Sequence, residues 1–182
     1  MYCRPNLIAI LFVFLVLGCG PMATSDTRIY KKSSATKKYS VVEISDFSKT
    51  DAEWIPYDSG EQIAGLVAEK LRKKDDFRVI SRSSGSNSDD GFFNEDVLLI
   101  KGTVTGYDRG CKFCEWFFLG INDMGKSTIS VWVELVDKNS GEILTDAGID
   151  GRAKSPGYGE TRYIRVADEI VKLVESVNGS SS

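Results

Sequence analysis

The segment from residue 126 to 137 constrains the fold most strongly, because its side chains alternate between apolar and polar along its length. This period of two predicts a β-strand with one buried face. The apolar positions are Ile129, Val131, Val133 and Leu135, and they alternate with Thr128, Ser130, Trp132 and Glu134. A turn of Lys138-Asn139-Ser140-Gly141 follows, and residues 142–151 are predicted to return as a partner strand.

Two helices are predicted to cover the apolar face of this sheet. Residues 61–73 and 160–177 carry apolar side chains at helical spacing, which indicates two amphipathic helices. Residues 39–47, 77–81 and 97–107 are predicted as further strands. The expected fold class is therefore α+β, a two-layer sandwich with a mostly antiparallel sheet of about five strands and both helices packed on one face.

Composition argues against several classes of function. The chain contains no histidine, which excludes a Ser-His-Asp or Cys-His catalytic site and the commonest zinc ligand. Its net charge of −3 is unlike the concentrated basic face of a nucleic-acid-binding protein. We therefore expect no enzymatic activity, cofactor, metal, small-molecule substrate or nucleic-acid partner.

The first 18 residues are predicted to be a signal peptide. The apolar run 7–17 has 11 residues, whereas a membrane-spanning helix needs roughly 20. The sequence Val16-Leu17-Gly18-Cys19 resembles the lipobox of bacterial lipoproteins. That resemblance implies cleavage before Cys19 and its modification by diacylglycerol and fatty acids such as palmitate. The alternative is an uncleaved signal anchor in which Cys19 is merely buried.

The lipobox resemblance also implies a location and a domain organisation. Gly20 follows Cys19 where Asp would mark retention at the inner membrane, so the chain is expected at the outer membrane with its domain in the periplasm. Residues 19–38 are polar and lack an apolar period, which predicts a lipidated cysteine followed by a flexible tether. A single α+β domain is expected over 39–178, with a disordered tail at 179–182.

Cys111 and Cys114 are the only cysteines that would remain beside a lipidated Cys19. In an oxidising periplasm they are predicted to form a disulfide that fixes a tight turn. The alternative is a redox-active pair, although thioredoxin-like pairs normally lie at a helix N-terminus, and no helical pattern follows this one.

An aromatic cluster follows the cysteine pair in the same predicted loop. Trp116, Phe117 and Phe118 are candidate partner-binding residues, because exposed apolar patches often mark interaction sites. The alternative is that these rings fold back over the sheet edge as part of the core.

Residues 39–177 resemble an uncharacterised family of bacterial lipoproteins. That family is related in fold to the curli-secretion lipoproteins, the lipoprotein activators of penicillin-binding proteins and the amino-terminal domain of the Tol-Pal translocation protein. The stretches that carry the resemblance are VVEISDF, LRKKDDFRVIS, LIKGTVTGY and the VELVDKNSGEIL hairpin. It implies a non-enzymatic envelope protein that binds or assembles other proteins. The alternatives are a periplasmic thiol-disulfide protein and a homo-oligomeric secretion-associated lipoprotein.

Overall fold

A computed structural model describes residues 23–33, 37–74, 76–82, 96–110, 126–153 and 159–179. In these ranges the chain forms seven strands and two helices. They are β1 Ala23–Lys32, β2 Val41–Ser45, β3 Ser48–Lys49, α1 Ser59–Arg72, β4 Arg78–Arg82, β5 Val97–Asp108, β6 Ser127–Asp137, β7 Ile143–Ala153 and α2 Gly159–Gly179. Both helices and the five strands predicted from residue 39 onward lie within a few residues of their expected positions.

The sheet is larger and more mixed than predicted. Its order is β1-β7-β6-β5-β2-β4, with β3 beside β5. The strands β1, β7, β6 and β5 pair antiparallel, whereas β2 pairs in parallel with both β4 and β5, and β3 pairs in parallel with β5. The expectation of about five strands was therefore wrong, and the long antiparallel ladders are joined by shorter parallel ones. A helical crossover from β2 through α1 to β4 explains the parallel half.

The two-layer α+β arrangement is confirmed. Helix α2 packs over β7, β1 and β6, while α1 packs beside α2 and over β4, β5 and β2. The predicted alternation in β6 holds, since its apolar side chains from Ile129 to Leu135 are at most 1% exposed. The stripe on α2 is buried as well, with Val166, Ala167, Ile170 and Val174 at 0% exposure. In the described part of the chain, no helix is both long and apolar enough to cross a membrane.

The predicted tether is in part a strand. Residues 23–32 form β1, which pairs with β7 from Ala23 opposite Ala153 to Lys32 opposite Thr145. The Ser25 hydroxyl donates to Glu169 of α2 at 2.8 Å, and the Thr27 hydroxyl donates to the same carboxylate at 3.3 Å. Because an edge strand is bonded mainly through its backbone, it needs no apolar period. In the described part of the chain, the sheet therefore includes residues 23–32 as well as the strands after residue 39.

Glycines in two strands allow close packing. A Cβ on Gly102 of β5 would lie 2.2 Å from the Phe47 ring, and one on Gly151 of β7 would lie 2.4 Å from the Arg162 carbonyl oxygen of α2. A β-bulge interrupts β5 between Val104 and Gly106. These positions bring the β2–β3 connection and the first turns of α2 against the sheet.

Candidate functional site

Every site residue predicted from the sequence lies outside the described residues. This holds for the lipidation residue Cys19, the disulfide pair Cys111 and Cys114, and the aromatic cluster Trp116, Phe117 and Phe118. Their proposed roles stay predictions, and so does the redox alternative for the cysteine pair. The described residues form a different surface that could bind a partner.

That surface is the face of the sheet opposite the two helices, which we call the open face. It is formed by the side chains that alternate with the buried positions of β5, β6 and β7. They are Leu99, Lys101, Thr103, Thr105, Thr128, Ser130, Trp132, Glu134, Asp146, Gly148, Asp150 and Arg152. This face is mainly polar, and Trp132 is the largest side chain on it.

An aromatic pair lies at the centre of the open face. The rings of Trp132 and Tyr30 have centroids 4.9 Å apart and planes inclined at 31°. A bulge between Ile29 and Lys31 in β1 places Tyr30 over Gly148. A Cβ at Gly148 would lie 3.4 Å from the Tyr30 ring and 3.9 Å from the Trp132 ring. The glycine therefore leaves room for both rings to rest on the sheet, where their packing holds the indole in place.

Two grooves flank Trp132 on this face. The first has a volume of about 310 Å³ and is lined by Ser45, Asp46, Ser48, Lys101, Gly102, Thr103, Trp132 and Glu134. The second has a volume of about 160 Å³ and is lined by Arg28, Tyr30, Thr105, Ser130, Val131, Trp132, Gly148, Ile149 and Asp150. The larger groove is at the lower limit for a small-molecule pocket. The pair of grooves is better suited to side chains of a partner that lie on either side of the indole.

Charged residues form a row across the open face beside the aromatic pair. Register aligns Lys101 with Glu134, Glu134 with Asp146, and Asp146 with Lys31. Among the described residues, the Asp146 Oδ1 atom is buried without a hydrogen-bond partner. The two carboxylates of this row are flanked by a lysine on each side, so a partner on the open face would meet both signs of charge.

Hydroxyl, carboxylate and guanidinium groups on the open face contact one another. In the described ranges, no three or more acidic, cysteine or histidine side chains are grouped so that they could hold a metal ion. The hydroxyl of Ser130 donates to Asp150 at 2.7 Å. Asp150 in turn pairs with Arg152 at 3.5 Å, so these groups are engaged with one another on the sheet surface.

Sequence reasoning missed both aromatic residues of the open face. Trp132 was recognised only as an outward position of β6, although a large indole at a solvent-facing strand position is itself a signal for an interaction surface. Tyr30 gave no signal, because it lies in the segment predicted to be a tether.

Comparison with known proteins shows the fold alone. No family model and no curated protein sequence matches the chain. A dodecamer of a PelC point variant from Paraburkholderia phytofirmans is similar, with a TM-score of 0.55 and 16% identity over 82% of this chain and 98% of that chain. A second PelC dodecamer structure from that organism gives a TM-score of 0.53 and 16% identity over 82% and 96% of the two chains. A DUF330 protein from Xanthomonas campestris has a TM-score of 0.47 and 6% sequence identity over 82% of this chain and 91% of that chain.

The kinship with the curli-secretion, penicillin-binding-protein-activator and Tol-Pal proteins stays a prediction. The comparisons add that the chain is similar in fold to a protein whose structures are dodecamers.

Proposed function

We propose that this chain is a non-enzymatic lipoprotein of the bacterial envelope, held by lipid on Cys19 at the periplasmic side of the outer membrane. It acts as a module that binds or assembles other proteins. The observation that carries the proposal is the open face, where Trp132 and Tyr30 lie between two grooves on the side of the sheet that the helices leave uncovered.

The open face has the organisation of a protein-binding surface. Interface energy is concentrated in a few tryptophan, tyrosine and arginine side chains surrounded by polar residues. Here the indole of Trp132 is surrounded by hydroxyls and charged groups, and its contact with Tyr30 limits its motion. A ring that is already held in place loses little conformational entropy when a partner covers it.

Cross-linking in living cells tests the proposal. A photo-reactive residue placed at Thr103, beside Trp132 in the larger groove, should capture a discrete envelope protein. Trp132→Ala should reduce that adduct at least tenfold. Glu61→Ala changes an exposed side chain of α1, on the side of the sheet that the helices cover, and should leave the adduct unchanged. Both variants must retain the circular dichroism spectrum of the parent chain.

An adduct that survives Trp132→Ala would contradict the open face as the binding surface. If the adduct then disappears in a Trp116→Ser, Phe117→Ser double variant, the sequence-predicted aromatic cluster is the binding surface instead.

Self-association is the second candidate function, and the dodecameric state of the similar PelC structures favours it. Among the described residues, the sheet ends in two different strands, the long β1 and the short β4. Contact between unlike surfaces of successive copies closes into rings when the rotation permits. Light scattering of the lipidated chain in detergent, corrected for bound detergent, should then give a protein mass many times that of one chain. A monomer at every concentration would exclude a stable ring.

A further inference from the structure

The start of β1 places the folded domain close to the proposed lipid anchor. Only Gly20, Pro21 and Met22 separate Cys19 from Ala23. A fully extended chain spans at most about 3.6 Å per residue, so Ala23 lies within about 14 Å of Cys19. If Cys19 carries lipid, the end of the sheet that contains Ala23 must be held near the lipid headgroups.

The pairing register identifies what else lies at this end, which we call the Ala23 end. Ala23 is opposite Ala153, the last residue of β7, and Ala153 is opposite Ser127, the first residue of β6. The last residue of β5, Asp108, pairs with Thr128. Helix α2 also begins here, because the carbonyl of Arg162 approaches Gly151 two residues before β7 ends.

The loop between β3 and α1 starts beside Val104 of β5 and leads toward the Ala23 end. Strand β3 runs parallel to β5 and therefore leads toward this end. Ser59, the first residue of α1, has its hydroxyl 3.3 Å from that of Tyr163 in the first turns of α2. In this loop Trp54 is 67% exposed and Tyr57 is 91% exposed, while Ile55 between them is 2% exposed. The buried Ile55 fixes a loop that presents two aromatic side chains to the surroundings.

We propose that Trp54 and Tyr57 enter the lipid headgroup region of the membrane that holds Cys19. This inference rests on the proposed lipidation. Tryptophan and tyrosine are enriched at membrane interfaces, because their rings are apolar while their N–H and O–H groups remain hydrated. The contact orients the domain, with the Ala23 end against the membrane and the open face directed to the side.

Charge makes this contact dependent on the lipid anchor. Asp51, Glu53 and Asp58 lie on the same loop and repel anionic headgroups, so two aromatic side chains alone bind a bilayer weakly. A short covalent link raises the effective concentration of the loop at the surface into the millimolar range. A Cys19→Ser chain, which cannot be lipidated, should therefore remain in solution when mixed with vesicles.

Fluorescence of single-tryptophan variants provides the test. The full lipidated chain is reconstituted into phosphatidylethanolamine and phosphatidylglycerol vesicles whose acyl chains carry bromine, which quenches nearby indoles. The Trp116→Phe, Trp132→Phe variant retains only Trp54, and the Trp54→Phe, Trp116→Phe control retains only Trp132 on the open face. We expect quenching of Trp54 to be at least threefold greater than that of Trp132. Replacing Tyr57 with Ser should reduce the quenching of Trp54.

The outcomes separate this inference from the proposed function. If mass spectrometry shows the diacylglycerol on Cys19 and Trp54 is quenched no more than Trp132, the membrane contact is overturned while the anchor stands. The same conclusion follows if a photo-reactive residue at position 54 captures a protein and no lipid. An unmodified Cys19 in living cells would refute the proposed anchor and this inference together.

Discussion

Asp137 at the end of β6 connects three parts of the fold, and its replacement gives the most direct test of how they are held together. Its Oδ2 atom accepts hydrogen bonds from the Tyr39 hydroxyl at 3.0 Å and from the Lys37 ammonium at 3.2 Å. Its Oδ1 atom accepts from the backbone N–H groups of Asn139 and Ser140 at 2.9 and 3.0 Å. The carboxylate therefore joins the β6–β7 turn to the segment that leads into β2.

The cost of Asp137→Ala follows from what each donor can do afterwards. The N–H groups of Asn139 and Ser140 belong to exposed residues and can bond to water. Tyr39 is 1% exposed, so its hydroxyl would be buried without an acceptor, which costs about 1–3 kcal/mol. With the lost turn contacts added, we expect the free energy of unfolding to fall by about 2–4 kcal/mol. Urea unfolding at neutral pH measures it.

The pH dependence of Asp137→Asn provides a second readout. Burial raises the pKa of Asp137, but hydrogen bonds from Ser140, Tyr39, Lys37 and Asn139 outweigh it and hold the pKa below the usual 3.8. The folded protein then binds this proton less tightly than the unfolded chain. The stabilisation is complete above about pH 5 and disappears as the pH falls through the folded-state pKa. The difference in stability between the parent and Asp137→Asn should narrow over that interval.

A neighbouring carboxylate serves as the control. Asp96 also accepts from the Lys37 ammonium, at 3.1 Å, but its side chain is 44% exposed. Asp96→Asn should change the free energy of unfolding by less than about 0.5 kcal/mol at any pH. The reasoning would be refuted if Asp96→Asn and Asp137→Ala lowered the free energy of unfolding equally. It would also be refuted if the stability difference between the parent and Asp137→Asn did not change with pH.

Four other substitutions test contacts within the fold. Gly102→Ala places a methyl group against the Phe47 ring and should lower the free energy of urea unfolding by about 1–3 kcal/mol. Gly65 in α1 has open space around it, so Gly65→Ala should raise the free energy of unfolding by about 0.5–1 kcal/mol. Tyr107→Phe removes the acceptor 2.6 Å from the buried Arg162 guanidinium and should cost about 1–3 kcal/mol by the same measurement. Glu169→Gln weakens the link between α2 and β1, so amide exchange in β1 should accelerate while global stability changes by less than about 1 kcal/mol.

Hydrophobic periodicity predicted the parts of the fold that are buried on one side. The alternation in β6 and the apolar stripe of α2 are each a local pattern that reports directly on a buried face. The parallel pairing of β2 with β4 and β5 could not be read in this way. Their partners are set by the route of the chain through α1, and a five-residue strand carries little information about the direction of its neighbour.

Strand β1 and the contact between Tyr30 and Trp132 could not be predicted from local sequence patterns. Most residues of β1 are exposed or half-buried, so the strand has no apolar face, and its composition resembles that of a linker. The contact of Tyr30 with Trp132 depends on a bulge in β1 and on the intervening Gly148 of β7. Such a contact joins residues far apart in sequence, and no local pattern encodes it.

The position of β1 also restricts which partners the open face can reach. Trp132 is aligned with Gly148, and Gly148 with Arg28, five residues along β1 from Ala23. At about 3.3 Å per residue, the aromatic pair lies about 17 Å from the Ala23 end. A long flexible tether would let the open face search a wide volume of the periplasm, whereas a link of three residues keeps it close to the membrane. Under the proposed anchoring, the partner must approach from the side along that membrane, which favours a protein attached to the same bilayer or a neighbouring copy of this chain.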